Sequence, residues 1–174
     1  MKSPYENKNV SEWKQITENL LAQNPIYEKR EELVKIIFDS KICALQLGKD
    51  FIPSYSNLGF FIENLTALKL AEKYTTQWKH GKDKNEKDIV CLDNSDFSIE
   101  VKSSSSSKYI FGNRSYAQAE SKKATKEKSG FYLAINYEKF KKNNLEVPQI
   151  VLIRLGFVEH SGLACAKICK RTTS

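Results

Sequence analysis

Two short segments, Asp88-Ile89-Val90 and Phe97-Ser98-Ile99-Glu100-Val101-Lys102, decide how this sequence is interpreted. In a β-strand, successive side chains point to opposite faces. The second segment therefore predicts a strand with Phe97, Ile99 and Val101 on a core and with Ser98, Glu100 and Lys102 on the other face. Glu100 and Lys102 are two residues apart, which places a carboxylate and an ammonium about 7 Å apart along the strand.

The preceding residues predict that this strand belongs to a β-hairpin. A short apolar run from Ile89 to Leu92 is followed by the turn-forming residues 93–96. If Asp88 lies opposite Glu100, then Ile89 lies opposite Ile99 and Cys91 opposite Phe97. A shift by one residue would move Asp88 to the other face, so the hydrophobic pattern favours a register in which Asp88 and Glu100 converge.

Two converging carboxylates and a lysine suit the chemistry of phosphodiester hydrolysis. Carboxylate oxygens are ligands that Mg²⁺ accepts while it keeps several waters. Such an ion activates a water and stabilises the negative charge that develops on the phosphate, and Lys102 is placed to orient or deprotonate the nucleophile. The alternative is a half-buried strand with an ordinary solvated Glu–Lys face.

The rest of the chain predicts helices first and strands later. Helical spacing begins after the possible cap Ser11 and is interrupted at Pro25, and a second helix extends to Gly48. A third helix, central to the fold, follows Ser56 or Asn57. Further strands are predicted at 74–78, 131–137 and 150–157, with a basic helix at 115–128 that closes near Gly130.

Length and charge predict one domain that interacts with a polyanion. The 174 residues carry 28 Lys and Arg against 21 Asp and Glu, a formal charge of +7, which favours nucleic acid or an anionic membrane surface as partner. No apolar stretch reaches the roughly 20 residues that span a bilayer, and the first ten residues lack a secretory signal, so we expect a cytoplasmic protein without membrane association. The four cysteines are expected to be buried thiols.

The sequence resembles the PD-(D/E)XK nuclease superfamily. The resemblance is carried by Asp88-Ile89-Val90 with Ile99-Glu100-Val101-Lys102, although Lys87 replaces the proline that often precedes the aspartate. It is most similar to the ScaI-type restriction endonucleases, through Glu100-Val101-Lys102, Phe111-Gly112-Asn113-Arg114-Ser115-Tyr116-Ala117-Gln118, Lys128-Ser129-Gly130-Phe131-Tyr132-Leu133 and Leu152-Ile153-Arg154-Leu155-Gly156-Phe157.

This resemblance implies an α/β fold with a core of helix, three strands, helix and strand, preceded by a helical extension. Residues 1–174 would form one nuclease domain, with 1–53 as the N-terminal helical region and 54–157 as the catalytic core. The implied function is a Type II restriction endonuclease that cuts double-stranded DNA at a short palindromic site with Mg²⁺ bound by Asp88 and Glu100. A palindrome further implies a homodimer, whose interface we place on the helical region, and a cognate DNA methyltransferase that does not bind the enzyme directly.

Other residues are candidates for accessory roles. Glu63 precedes the first core strand, where this superfamily often has an additional acidic residue, and the alternative is an ordinary paired glutamate. Gln118 is a candidate for binding active-site water or DNA, or is simply an exposed polar residue. The expected DNA-binding residues are Lys108, Asn113, Arg114, Gln118, Lys122, Lys123 and Lys126. Tyr109 lies among them and is expected in the core.

Two other functions compete with restriction. One is a repair or recombination nuclease with the same core, and the other is a non-catalytic basic DNA-binding module in which Glu100 and Lys102 form only a structural pair. The sequence contains neither a Gly-x-Ser-x-Gly nucleophile motif nor a phosphate-binding Gly-x-x-x-x-Gly-Lys loop, which argues against serine hydrolases and nucleotide triphosphatases.

Overall fold

The fold combines helices with one mixed β-sheet. The computed structural model describes residues 9–51, 58–83, 85–110, 129–138 and 149–159. Within these ranges the helices are α1 (Val10–Gln23), α2 (Arg30–Phe51) and α3 (Leu58–Lys73), and the strands are β1 (Trp78–His80), β2 (Ile89–Cys91), β3 (Ile99–Ser104), β4 (Gly130–Tyr137) and β5 (Ile150–Val158). The strands form a sheet in the order β1-β2-β3-β4-β5.

Helix α1 begins with a reciprocal cap rather than at the predicted Ser11. The Asn9 side chain accepts a hydrogen bond from the Glu12 amide at 3.0 Å, and the Glu12 carboxylate accepts one from the Asn9 amide at 2.9 Å. These two bonds satisfy amides that the first helical turn leaves unpaired. The helix ends at Gln23, just before Pro25, as the sequence predicts. Helix α2 continues slightly past Gly48, and the predicted caps of α3 lie outside the described residues.

Helix α3 is central, as predicted, and contacts α2, β1 and β3. Its buried residues include Ile62, Ala67 and Leu70, all fully inaccessible to solvent. The predicted strand at 74–78 is wrong in position, because the chain leaves α3 through a turn in which the Trp78 amide donates to the Tyr74 carbonyl at 2.9 Å. Strand β1 therefore begins at Trp78, and the β-favouring residues before it form the turn.

The predicted β2–β3 hairpin is present, and its register is confirmed by the antiparallel pair Ile89–Ile99. The predicted Cys91–Phe97 pair is wrong, because residues 95–97 form a single 3₁₀ turn. The Cys91 amide instead donates to the Ser98 hydroxyl at 3.1 Å, and Ser98 is buried rather than on the polar face. The two strands are thus closed at this end by a side chain.

Strand β3 pairs in parallel with β4, and β4 pairs antiparallel with β5. Parallel neighbours need a crossover connection, which here comprises residues 105–129. The basic helix predicted at 115–128 lies outside the described residues. Gly130 begins β4, and the end of the predicted helix lies outside the described residues. Its φ of +137° suits glycine, and a Cβ at this position would clash with the Lys87 ammonium, so a side chain here would displace Lys87.

The N-terminal helices share the hydrophobic core of the sheet. Helix α1 contacts β5, and Leu21, Ile26 and Ile37 belong to the same buried cluster as Ile99 and Leu133. Between α1 and α2, the buried Asn24 donates to the Phe97 carbonyl at 3.1 Å and accepts from the Ile26 amide at 3.0 Å. The helical region is therefore joined to the turn that leads into β3. No helix in the described parts of the chain is long and apolar enough to cross a membrane.

We expect Leu133→Ala to lower the free energy of unfolding by about 2–5 kcal/mol, because it removes buried methyl groups from the centre of the sheet and leaves a cavity. Leu133 is fully buried, whereas Leu92 is 49% exposed, so Leu92→Ala is the matched control and should change stability by less than about 0.5 kcal/mol. Urea denaturation of both variants measures the difference. Equal losses would show that the core is not centred on β4.

Candidate active site

Asp88 is fixed beside β3 by its own side chain. Its Oδ2 accepts a hydrogen bond from the Val101 amide at 2.7 Å. Val101 is fully buried and lies between Glu100 and Lys102 on the strand, so this bond brings the Asp88 carboxylate to the two residues that the sequence predicts as its partners. The convergence of Asp88 with β3 thus depends on a carboxylate–amide bond as well as on strand pairing.

Glu100 and Lys102 form a half-buried ion pair on the face of β3 opposite the core. The Lys102 Nζ lies 2.7 Å from Glu100 Oε1, and the two side chains are 22% and 13% exposed. Burial alone would lower the pKa of the Lys102 ammonium, but attraction to Glu100, to Asp88 and to Glu63 outweighs it and raises the pKa above its usual value. The surrounding carboxylates therefore favour the charged form of Lys102.

Glu63 reaches the same site from α3. Its Oε1 accepts hydrogen bonds from the Ser103 amide at 2.5 Å and from the Ser103 hydroxyl at 2.8 Å. Burial raises the pKa of Glu63, and the nearby Asp88 raises it further, against the lowering effects of Ser103 and Lys102. The side chain is partly buried and paired, as the apolar neighbours in its helix predict.

The helix can come this close to β3 because it carries a glycine near its start. A Cβ on Gly59 would lie 2.5 Å from Ser103 Oγ and 3.0 Å from Tyr137 Oη. A side chain at position 59 would force the Ser103 hydroxyl, which binds Glu63, or the helix itself to shift. Tyr137 also lies within electrostatic reach of Glu63, and its pKa is raised by burial and by that carboxylate.

The charge of the site fits a divalent cation. Glu63, Asp88 and Glu100 surround Lys102, and three carboxylates against one ammonium give a formal charge of −2 for this group. In the described parts of the chain, no three His, Cys, Asp or Glu side chains are already gathered as metal ligands. Asp88 and Glu100, bonded to the Val101 amide and to Lys102 respectively, are the two carboxylates that the sequence predicts as ligands, and two is the small number that Mg²⁺ takes when water completes its octahedron.

Among the predicted DNA-binding residues, Lys108 alone falls in the described ranges, in the exposed turn after β3. The other six, namely Asn113, Arg114, Gln118, Lys122, Lys123 and Lys126, lie outside them. Tyr109, expected in the core, is 68% exposed beside Lys108, so that expectation is wrong. The segment after β3 therefore presents both a cation and an aromatic ring to solvent.

Sequence reasoning missed two sets of polar residues near the site. Ser103, which binds Glu63, was hidden in the serine run that follows Lys102. Asn136 and Arg154 are bonded to each other at 2.6 Å and contact the turn that carries Lys108. Asn136 lies in β4 and Arg154 in β5, and the sequence signal for each is a polar residue within a largely apolar strand.

The chain is similar to restriction endonucleases of one family. The model of the ScaI restriction endonuclease family matches residues 3–171. The chain is 31% identical to the Type II restriction enzyme ScaI of Streptomyces caespitosus over 173 residues, which cover 95% of this chain and 75% of the relative. No solved structure matches the chain.

The match over nearly the whole chain places this protein among the restriction endonucleases, and its mixed α/β sheet is compatible with such a fold. The chain belongs to the ScaI restriction endonuclease family. The predictions of this family and of a Type II restriction endonuclease are thereby confirmed.

Because a raised pKa means that the folded protein holds the Glu63 proton more tightly than the unfolded chain does, ionisation of Glu63 reduces stability. The stability is complete below the ordinary value near 4.5 and falls as the pH rises through the folded pKa. We expect Glu63→Gln, which can still accept from Ser103, to become progressively more stable relative to wild type above pH 4.5. Urea denaturation in EDTA at a series of pH values measures this.

The matched control is Glu18→Gln, on the exposed side of α1, which should show no such gain as the pH rises. If the stability of wild type and of Glu63→Gln changed in parallel over the whole pH range, ionisation of Glu63 would not reduce the stability of the folded protein.

Proposed function

We propose that this enzyme hydrolyses phosphodiester bonds in double-stranded DNA at a short palindromic site, with Mg²⁺ held by Asp88 and Glu100. The observation that carries the proposal is the bond from the Val101 amide to Asp88, which places a second carboxylate beside the Glu100–Lys102 pair. The order of α3, three strands and a fourth strand parallel to β3 is the order expected of a PD-(D/E)XK core. We further propose that the basic helix predicted at residues 115–128 is the core helix between β3 and β4.

The residues of the site divide the work of hydrolysis. When bound, Mg²⁺ polarises the scissile phosphate and lowers the pKa of an attacking water. Lys102 supplies a fixed positive charge toward the phosphate, where negative charge develops, and its raised pKa favours orientation and charge stabilisation over proton removal. Glu63 acts on β3 through Ser103 and adds negative charge that favours the cation.

The substrate follows from charge and from the proposed symmetry. A formal charge of +7 attracts the phosphate backbone, and Lys108 is the exposed cation nearest to Lys102 along the described part of the chain. We assign base and phosphate contacts to the segment that contains Asn113, Arg114, Gln118, Lys122, Lys123 and Lys126. Such an enzyme works in the cytoplasm beside a cognate methyltransferase, which protects the host site without binding the nuclease.

We expect Asp88→Asn, Glu100→Gln and Lys102→Ala each to reduce Mg²⁺-dependent cleavage of unmethylated phage DNA by about a hundredfold or more, because each removes several kcal/mol of charge stabilisation. Binding should persist, as measured by anisotropy with Ca²⁺ replacing Mg²⁺ and with a duplex that carries the site mapped from the wild-type fragments. The two carboxylate variants should change little in stability, since each relieves repulsion from the other carboxylates and this offsets the attraction to Lys102 that is lost. Lys102→Ala should be less stable, because it leaves three carboxylates without their cation.

The matched controls are Asp93→Asn, Glu18→Gln and Lys35→Ala, all at exposed positions away from the site, and they should cut at the wild-type rate. Discrete fragments from wild type support restriction, whereas structure-dependent nicking would indicate a repair nuclease. DNA binding without any cleavage would favour the non-catalytic module. Wild-type rates in all three site variants would remove Asp88, Glu100 and Lys102 from the reaction.

A palindromic site further predicts a homodimer that presents one active site to each strand. The helical region offers exposed apolar side chains for the interface, with Val10 80% exposed, Ile42 50% and Leu47 36%. We expect sedimentation to show a dimer on cognate DNA, and we expect Ile42→Glu to dissociate it because the substitution places a charge in an apolar interface. A strict monomer of the wild type on cognate DNA would contradict this, and Lys14→Glu is the surface control.

A further inference from the structure

The turn after β3 is attached to the sheet by two polar side chains. Asn136 of β4 is fully buried, and its Nδ2 donates to the carbonyls of Ser106 at 2.7 Å and of Tyr109 at 3.0 Å. Its Oδ1 accepts from Arg154 Nη2 at 2.6 Å, and Arg154 Nη1 donates to the Lys108 carbonyl at 3.2 Å. Asn136 and Arg154 thus hold three carbonyls of one turn.

The chemistry of this pair is specific for the turn. Two carbonyl oxygens can be satisfied only by donors, which a carboxamide supplies as two N–H groups and a carboxylate does not. Burying an amide in a strand is costly unless its hydrogen bonds are made, and a branched apolar residue would suit a strand better. Both N–H groups of the Asn136 side chain donate to the turn, so this side chain stabilises the turn rather than the sheet.

The turn itself is preorganised and points its side chains outward. The Ser106 hydroxyl accepts from the amides of Lys108 at 3.3 Å and Tyr109 at 3.1 Å, and the Ser104 hydroxyl accepts from the Ser106 amide at 3.1 Å. The carbonyls of the turn are bonded to Asn136 and Arg154, and its amides are bonded to the two serine hydroxyls. Hydrogen bonds therefore fix the backbone of the turn through both its carbonyls and its amides. The side chains of Lys108 and Tyr109 are exposed.

The turn begins directly after the strand of the candidate active site. Lys102 lies opposite Ala134, which in turn lies opposite Arg154, so the three stand in one row across β3, β4 and β5 on the same face. Strand β3, which carries Glu100 and Lys102, pairs with β4, and Asn136 of β4 binds the turn that carries Lys108. Strand β4 therefore fixes the position of the turn relative to Glu100 and Lys102.

We propose that Asn136 and Arg154 are positioning residues for DNA binding, which hold the 106–109 turn so that Lys108 contacts a backbone phosphate of the bound duplex. This inference rests on the proposed function, because it requires that the chain bind DNA. Neither residue touches the DNA in this role, and both act through Lys108. Loss of either should therefore remove one phosphate contact while the reaction at Lys102 continues.

The test measures how binding of the mapped duplex depends on salt, with Ca²⁺ in place of Mg²⁺. One phosphate contact contributes about 0.9 to the slope of log K against log salt concentration. We expect Lys108→Ala, Asn136→Leu and Arg154→Lys each to lower the slope by about this amount. The last two substitutions conserve charge, so a reduced slope in them reports the placement of Lys108. In the double variants with Lys108→Ala, the slope should fall no further.

Single-turnover cleavage at saturating DNA distinguishes positioning from catalysis and from general damage. We expect the rate of the bound complex in Arg154→Lys and Asn136→Leu to stay within about threefold of wild type, less than 1 kcal/mol in the barrier. The matched controls are Asn19→Leu and Arg30→Lys on α1 and α2, which should leave slope and rate unchanged. If Asn136→Leu does not fold, Arg154→Lys decides, because it keeps the charge, the buried stem and a donor for one acceptor.

Each outcome is decisive. Wild-type slopes in folded Arg154→Lys, or slope losses that add to that of Lys108→Ala, would overturn the inference while cleavage by wild type upheld the proposed function. An unchanged slope in Lys108→Ala would also overturn it. A wild-type protein that neither binds nor cuts the phage DNA would remove the proposed function, and the inference with it.

Discussion

The hydrogen bond from the Val101 amide to Asp88 is the constraint on which the candidate active site depends. Among the described residues, β2 and β3 are bridged only at Ile89–Ile99. Side chains complete the pairing on either side, with the Asp88 carboxylate at one end and the Ser98 hydroxyl at the other. A carboxylate that serves as a strand partner is held in one orientation, because it cannot rotate away without leaving a buried amide unsatisfied. The Asp88 side chain is thus positioned by its hydrogen bond to the backbone of β3.

The sequence predicted that Asp88 lies beside Glu100 and Lys102, and the structure brings them together, because the relevant signals are local. Alternation along residues 99–102 assigns the two faces, and the apolar pair Ile89–Ile99 sets the register across the turn. The same local reasoning failed where the chain leaves regular structure. Phe97 enters a 3₁₀ turn, Ser98 is buried as a hydrogen-bond acceptor, and residues 74–77 form a turn despite their β-branched and aromatic side chains. Tertiary contacts override propensity at such boundaries.

Glu63 and Arg154 show what a single sequence does not reveal. The apolar neighbours of Glu63 predicted partial burial, yet its partner Ser103 lies 40 positions away in a run of five serines that local pattern cannot distinguish. Arg154 stands 46 positions from Lys108, and its bond crosses from β5 to the turn after β3. Long-range pairing of this kind depends on the order of the strands, in which β3, β4 and β5 are adjacent.

Burial and charge both act on the carboxylates of the candidate active site. Burial is the main cause of the raised pKa of Glu63, and repulsion by the Asp88 carboxylate adds to it. Lys102 offsets part of that repulsion, and its own raised pKa is the reciprocal effect. The ammonium that offsets these carboxylates is also the one that the proposed function assigns to the scissile phosphate. Glu63, Asp88, Glu100 and Lys102 together carry a negative formal charge, so they attract a divalent cation. The ion pair with Glu100 holds Lys102 within this group.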